Sequence, residues 1–312
     1  MDELSGGGMM RASWLDGARY LVRAVSWTGG TPHLELAEVG SNARTVLPLI
    51  GTTLSFSVDG DGQFCTGHAI FAPSGEVKGR DCPGARPAVS GRQCAECAAA
   101  DEFRFIHHVH RGGYVPDGLR EYVARPHWVY IATFADASSK VGTAVHARKR
   151  TRLDEQGAIR ATYLAWADSG VTAREYEDLV SGALDIVQSK RRSAKLSALS
   201  RPRSAAEIER AHGWAVQEAR EVLEGASAVL PLEPWEPPAQ HAGVSGASDE
   251  YPHALTSGDH CLSVVAMVGS VASVRVNEED DPFLADLGVL AGRRVVPGAV
   301  RSDGISTQLG LF

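Results

Sequence analysis

The sequence has little of what would assign it to several large protein classes. Among its 312 residues there is no run of eighteen or more apolar residues, so no segment reads as a membrane-spanning helix and no membrane partner is expected. Basic residues are not in excess: 31 Lys and Arg stand against 38 Asp and Glu, a formal net charge of -7. That balance excludes a protein coated in positive surface, and any contact with nucleic acid needs a local basic stripe inside an acidic whole. Cysteines number only five, an odd count that argues against a disulfide framework and for reduced thiols. The opening residues, Met1 to Gly8, are acidic and Gly-rich and lack the basic-then-apolar order of a secretory signal, so the expected location is the cytoplasm. No feature of the sequence fixes an oligomeric state.

What is present is an ordinary globular composition, 44% apolar and 22% charged, in a chain long enough for two or three domains. Short β-favouring runs at Tyr20 to Trp27, His33 to Val39 and Thr53 to Val58 are separated by Gly- and Asn-containing turns, which predicts a β-rich N-terminal part over residues 1–58. Residues 59–125 hold four of the cysteines among Gly/Pro-rich turns, with too few large apolar side chains to fold by burial. Residues 126–224 read as apolar strands and a charged helix, followed by an amphipathic helix from Thr172 to about Gln188. Tyr176, Leu179, Val180, Ala183 and Val187 are predicted on one face of that helix. A further helix over Ser204 to Glu224 carries the apolar stripe Ile208, Ala211, Ala215 and Ala219. A Pro/Gly-rich stretch, 225–258, is predicted as a linker or an ordered turn region, and 259–312 as a second β-rich part. The predicted class is α+β.

Cys65, Cys82, Cys94 and Cys97 fall within thirty-three residues, and Cys94-Ala-Glu-Cys97 is a C-x-x-C knuckle. Four soft thiolates with no open position suit a structural Zn2+, whose binding would supply the folding energy this segment lacks. The sixteen-residue gap between Cys65 and Cys82 leaves a Cys/His mixture open, with His68, His107, His108 and His110 near enough in sequence to compete. Cys261, alone in an apolar run, reads as a small buried hydrophobe.

Trp128-Val-Tyr130, nine residues, Lys140-Val-Gly142, then Thr-Ala-Val-His146-Ala-Arg-Lys-Arg150 resembles the two tripeptides and the helix arginine of GIY-YIG endonucleases. The resemblance implies that the tripeptides lie on neighbouring strands and that Tyr130, Lys140, Arg150 and Glu177 line one catalytic groove. In that groove Glu177 would hold Mg2+ or Mn2+, the general base would be a phenolate or hydroxide, and the cations would meet the phosphorane charge. Trp128 stands where the family has glycine and Lys140 where it has its second tyrosine. The wider order Cys-Thr-Gly, Cys-Pro, Gln-Cys-x-x-Cys, Val-Tyr-Ile-Ala-x-Phe, Lys-Val-Gly-Thr and Arg-Leu-x-Glu-Gln-Gly-Ala is similar to the bacterial family termed domain of unknown function 2797, over roughly residues 20–220.

Gly142, His146 and Gln156 are the candidate substrate contacts in that groove, although Gln156-Gly-Ala158 also reads as a glycine helix cap. Lys190, Arg191 and Arg192, followed by Lys195, Arg201 and Arg203, put six cations in fourteen residues, a candidate stripe for RNA or DNA phosphates. The same stretch also reads as a solvated loop. The functional expectation is a zinc-containing GIY-YIG-like protein that acts on or binds nucleic acid. A non-catalytic RNA- or tRNA-binding module, and a groove turned to small-molecule chemistry, are the alternatives.

Overall fold

The computed structural model describes residues 10–302 apart from 12, 13, 15, 42, 112, 113, 227, 247, 248 and 278, and excludes the side chains of 10, 11, 107, 108, 110, 111, 245 and 246. The fold mixes helix and sheet. In chain order it runs β1 (Met10–Arg11), β2 (Tyr20–Thr28), β3 (Thr31–Glu38), β4 (Arg44–Pro48), β5 (Thr52–Val58), β6 (His68–Phe71) and β7 (Val77–Arg80). Next come α1 (Ala95–Ala100), α2 (Asp117–Val123), β8 (His127–Thr133), β9 (Ser139–Val145), α3 (Lys149–Gln156), β10 (Arg160–Ala167), α4 (Gly170–Leu184), α5 (Arg192–Ser200) and α6 (Ala205–Gly225). The chain closes with β11 (Glu233–Pro234), β12 (Asp259–Val268), β13 (Val271–Arg275), β14 (Phe283–Asp286) and β15 (Arg294–Pro297).

The two β-rich ends, predicted as separate parts, are one nine-stranded sheet in the order β14-β13-β12-β5-β15-β2-β3-β4, with β1 beside β5. Strand β5 is the seam: Leu54 pairs with Leu262 of β12, and Ser57 with Val296 of β15. One core serves both ends, with Trp27, Leu34, Leu36, Leu47, Leu54 and Phe56 packed against Leu262, Met267, Val274 and Leu290. Residues 1–9 and 303–312, the outer margins of the predicted β-rich parts, lie outside the described residues.

The second sheet has the order β11-β10-β8-β9. Strand β8 is buried at every residue, because both of its faces are covered. Val129 and Ile131 pack with Ala173, Val180, Ala215 and Ala219 of α4 and α6. Trp128, Tyr130 and Ala132 turn to the opposite face, with Leu153 of α3 and Trp235. Helix α4 buries Ala173, Glu177 and Val180, whereas Leu179 and Val187 are exposed. Its inner face shares Val180 and the partly buried Tyr176 with the predicted one but turns toward Ala173 and Glu177, and so carries a carboxylate inward. Helix α6 follows its predicted stripe and starts at a Ser204–Glu207 capping box.

The stretch predicted as a linker or ordered turn region is an ordered strap. Its β11 pairs with β10, Trp235 is buried, and Val244 packs on β12 and β13 residues. The two sheets meet through glycines: a Cβ on Gly269, in the β12–β13 turn, would lie 2.8 Å from the Gly157 Cα at the end of α3. Both have positive φ, 61° and 71°. No helix among the described residues is long and apolar enough to cross a membrane.

Candidate functional site

The cysteines come together because short elements present them to one point. Cys65 follows the Phe64–Pro87 bridge, Cys82 follows β7, Cys94 caps α1 and Cys97 lies in its first turn. Their four Sγ atoms lie within 4.8 Å of one another, all four residues buried, and Cys82 and Cys94 are 3.9 Å apart. A tetrahedral ion with bonds of about 2.3 Å puts ligand sulfurs about 3.8 Å apart, so the donor set fits a metal such as zinc. The Cys94 thiol is lowered to about 7, chiefly by the backbone hydrogen bond from Cys97, while burial pushes Cys97 up.

Gly67 makes the cluster possible: its φ is +92°, and a Cβ there would sit 1.9 Å from the Arg80 carbonyl oxygen. Among the described residues the candidate ligand set is all-cysteine. His68 begins β6 opposite Arg80 and stands outside the group, and the side chains of His107, His108 and His110 lie outside the described residues. Cys261, on β12, is partly exposed rather than buried.

Around β8 and β9 the predicted groove residues divide. Tyr130 and Gly142 are directly opposite on the two strands, and a Cβ on Gly142 would lie 2.6 Å from the Tyr130 ring. Glycine is required there so that the tyrosine can lie across β9. Tyr130 is fully buried, its hydroxyl has no hydrogen-bond partner, and burial raises its pKa. Lys140, opposite Ala132, is 4% exposed and holds its ammonium 5.6 Å from the Tyr130 ring centre. Burial first, then the neighbouring Arg152 and Lys195, lowers its pKa to about 7. Lys195, also desolvated beside Arg152, is lowered to about 8.

Glu177 reaches the same surroundings from α4, buried and ion-paired with Arg174. Burial raises its pKa against the pull of that guanidinium. Tyr130, Lys140 and Glu177 therefore converge.

Arg150 does not join them. Its guanidinium extends toward Gly30 of the large sheet, and the titrating groups it influences are Asp154 and Tyr163. The cation acting on Tyr130 and Lys140 is Arg152, two residues on and about 200° around α3. His146 is exposed, accepts a hydrogen bond from the Trp128 indole at 2.9 Å, stacks beside Trp128 and meets Trp166 edge to face. Gln156 ends α3 and Gly157 is its left-handed cap, so the capping reading of this tripeptide holds. Lys190 is committed to Asp136 and Ser138, and Arg192 to the Gly288 carbonyl; Arg191 remains exposed at the start of α5.

The sequence reading missed a cavity of about 280 Å³ at the β9 edge. Arg152 and Glu155 enter it from α3, and Arg148 from the end of the 3-10 turn before that helix. Arg174 and Gly170 enter from α4, and Tyr122, Val123, Phe103, Ile106 and Val109 from the α2 side. Arg148 pairs with Glu155 at 3.2 Å, and Arg174 with Glu177. Arg152 has no carboxylate contact among the described residues. His127, on the wall, is held neutral by burial, and its Nδ1 faces the Arg125 carbonyl at 2.7 Å.

A second cavity, about 630 Å³, lies between α6, β10 and the large sheet and is lined mainly by apolar residues such as Ile208, Trp235, Val244 and Val268. Its His212 is held at 2.9 Å by the Thr133 and Thr162 hydroxyls, and of the predicted phosphate stripe Arg203 lines it. Compared with models of protein families, with curated proteins and with solved structures, the chain matches none of them.

Proposed function

We propose that this is a zinc-containing, GIY-YIG-like protein that binds nucleic acid through phosphate at the β9-edge cavity. The observation carrying this reading is the convergence of Arg148, Arg152 and Arg174 on one pocket backed by the Tyr130, Lys140 and Glu177 cluster. Guanidinium groups recognise phosphate oxygens bidentately, and the low-dielectric floor strengthens each contact. The Tyr130–Gly142 pairing across neighbouring strands, followed by a helix that delivers an arginine, supports the GIY-YIG likeness. The ligand geometry supports zinc as the structural metal.

The arrangement favours binding over cleavage. A nuclease of this type needs its carboxylate on Mg2+ or Mn2+ and its tyrosine in reach of substrate. Here Glu177 is spent on Arg174, and the Tyr130 hydroxyl is sealed. The test uses labelled RNA and DNA oligonucleotides with the wild type and Arg152→Ala, with and without Mg2+ or Mn2+. Binding that weakens with salt and drops about tenfold in the variant, with no products, is the expected result. Metal-dependent products would replace the binding reading with a nuclease one, and binding unchanged by Arg152→Ala would remove the pocket from it.

A further inference from the structure

We propose that the pocket takes the terminal phosphate of a nucleic-acid strand, a phosphomonoester, rather than a phosphate inside a continuous duplex. This rests on the reading of the cavity as the phosphate site and narrows its ligand.

Enclosure is the first argument. Phe103, Ile106 and Val109 of the turn after α1, with Tyr122 and Val123 of α2, wall the cavity opposite α3 and α4. At about 280 Å³ it stands just below the range of small-molecule sites, room for one phosphate and part of its nucleoside. A duplex presents one negative charge per roughly 1.7 Å of axis and needs an open track of cations to follow it. The predicted basic stripe is interrupted as such a track, because Lys190 is used on Asp136 and Arg192 on the Gly288 carbonyl, with Arg191 exposed between them.

Charge is the second argument. Arg148 pairs with Glu155 and Arg174 with Glu177, whereas Arg152 makes no close ion pair among the described residues and acts on Glu155 only at longer range. A phosphomonoester carries up to two negative charges near neutral pH and a diester only one, so the monoester balances such a site better. The first turn of the fifteen-residue helix α4 adds to this. Gly170 lines the cavity, and its Cα lies so close to the His127 ring that a Cβ there would sit 2.9 Å away. The positive end of that helix thereby approaches the pocket. Tyr122, packed against Phe71, Phe103 and His127, adds an aromatic wall beside the phosphate position.

The experiment measures affinity for three single-stranded oligonucleotides of one sequence, bearing a 5′-phosphate, a 3′-phosphate or hydroxyls at both ends, together with a blunt hydroxyl-ended duplex. Each is titrated against the wild type, Arg152→Ala and Arg148→Ala, with circular dichroism to establish that the variants are folded. The expected result is that one phosphorylated strand binds at least about tenfold more tightly than the hydroxyl-ended strand. Inorganic phosphate should compete for that advantage, and in a folded arginine variant the phosphorylated and hydroxyl-ended strands should bind with equal affinity. Equal affinity for phosphorylated and hydroxyl-ended strands, or preference for the duplex, overturns the terminal-phosphate proposal while leaving phosphate binding at the pocket standing. No binding of any oligonucleotide at low salt overturns both.

Discussion

In the nine-stranded sheet, side chains from Trp14 to Val295 share one apolar core, and no single one of them holds the fold together. In the cysteine element the four thiols are themselves the buried cluster, joined only by a small group around Phe71, Leu119 and Val123. The first region distributes its stability over many small contacts, and the second concentrates it at one point. They should therefore fail differently: a core cavity weakens the sheet in proportion to the volume lost, whereas loss of one ligand releases a whole segment.

The largest effect is expected from metal removal. Structural zinc sites contribute on the order of 10–16 kcal/mol of apparent binding energy, so chelation or Cys94→Ser should make residues 59–125 protease-sensitive while β12 to β15 remain protected. Metal analysis and limited proteolysis on one sample check this, and an element that stays resistant after losing its metal would break the contrast. In the sheet, Leu54→Ala, at a fully buried seam position, should cost about 2–5 kcal/mol in denaturant unfolding without changing metal stoichiometry. Metal loss in that variant at low denaturant would show that the regions fail together.

The smallest effect sharpens the comparison by adding a place where burial works against stability. Lys140 has its pKa lowered to about 7 from an ordinary 10.5. Between those values the unfolded chain binds more protons than the folded one, so this lysine makes stability rise with pH across that window, and its cost is fully present below about pH 7. Lys140→Met should flatten that rise and stabilise the protein at pH 6 by on the order of 2 kcal/mol. Denaturant midpoints at pH 6 and pH 9 measure it, and an unchanged slope in the variant would show that Lys140 is not the group responsible.

What the sequence made legible follows the distance over which each signal acts. The Cys94-x-x-Cys97 knuckle and the Tyr130–Gly142 pairing are local or nearly so, and in the structure the four thiols gather and those two residues face each other. Arg152 was missed because an offset counted from Gly142 passes through a 3-10 turn, His146–Arg148, before α3 begins, and that turn changes the angular phase of every later residue. The α4 face was misjudged because apolarity alone selects Leu179, whereas Glu177 is drawn inward by Arg174 and by Lys140. The basic stretch shows the same limit: proximity in sequence does not reveal that Lys190 and Arg192 spend their charges on separate partners. Period-two alternation marked the strands at both ends, but it carries no information on which strand pairs with which.

Strand β5 cannot meet β12 or β15 until residues 59–258 have been synthesised. At about 5–20 residues per second the wait is roughly 10–40 s. During that interval the early strands, with Leu54 and Phe56 of β5 among them, stand on the ribosome as a partial sheet with open hydrogen-bonding edges, while the cysteine element and the four-stranded sheet already have nearly all of their own chain. Folding from the inside of the sequence outward, with the outer sheet closing last over finished modules, is the order this topology imposes.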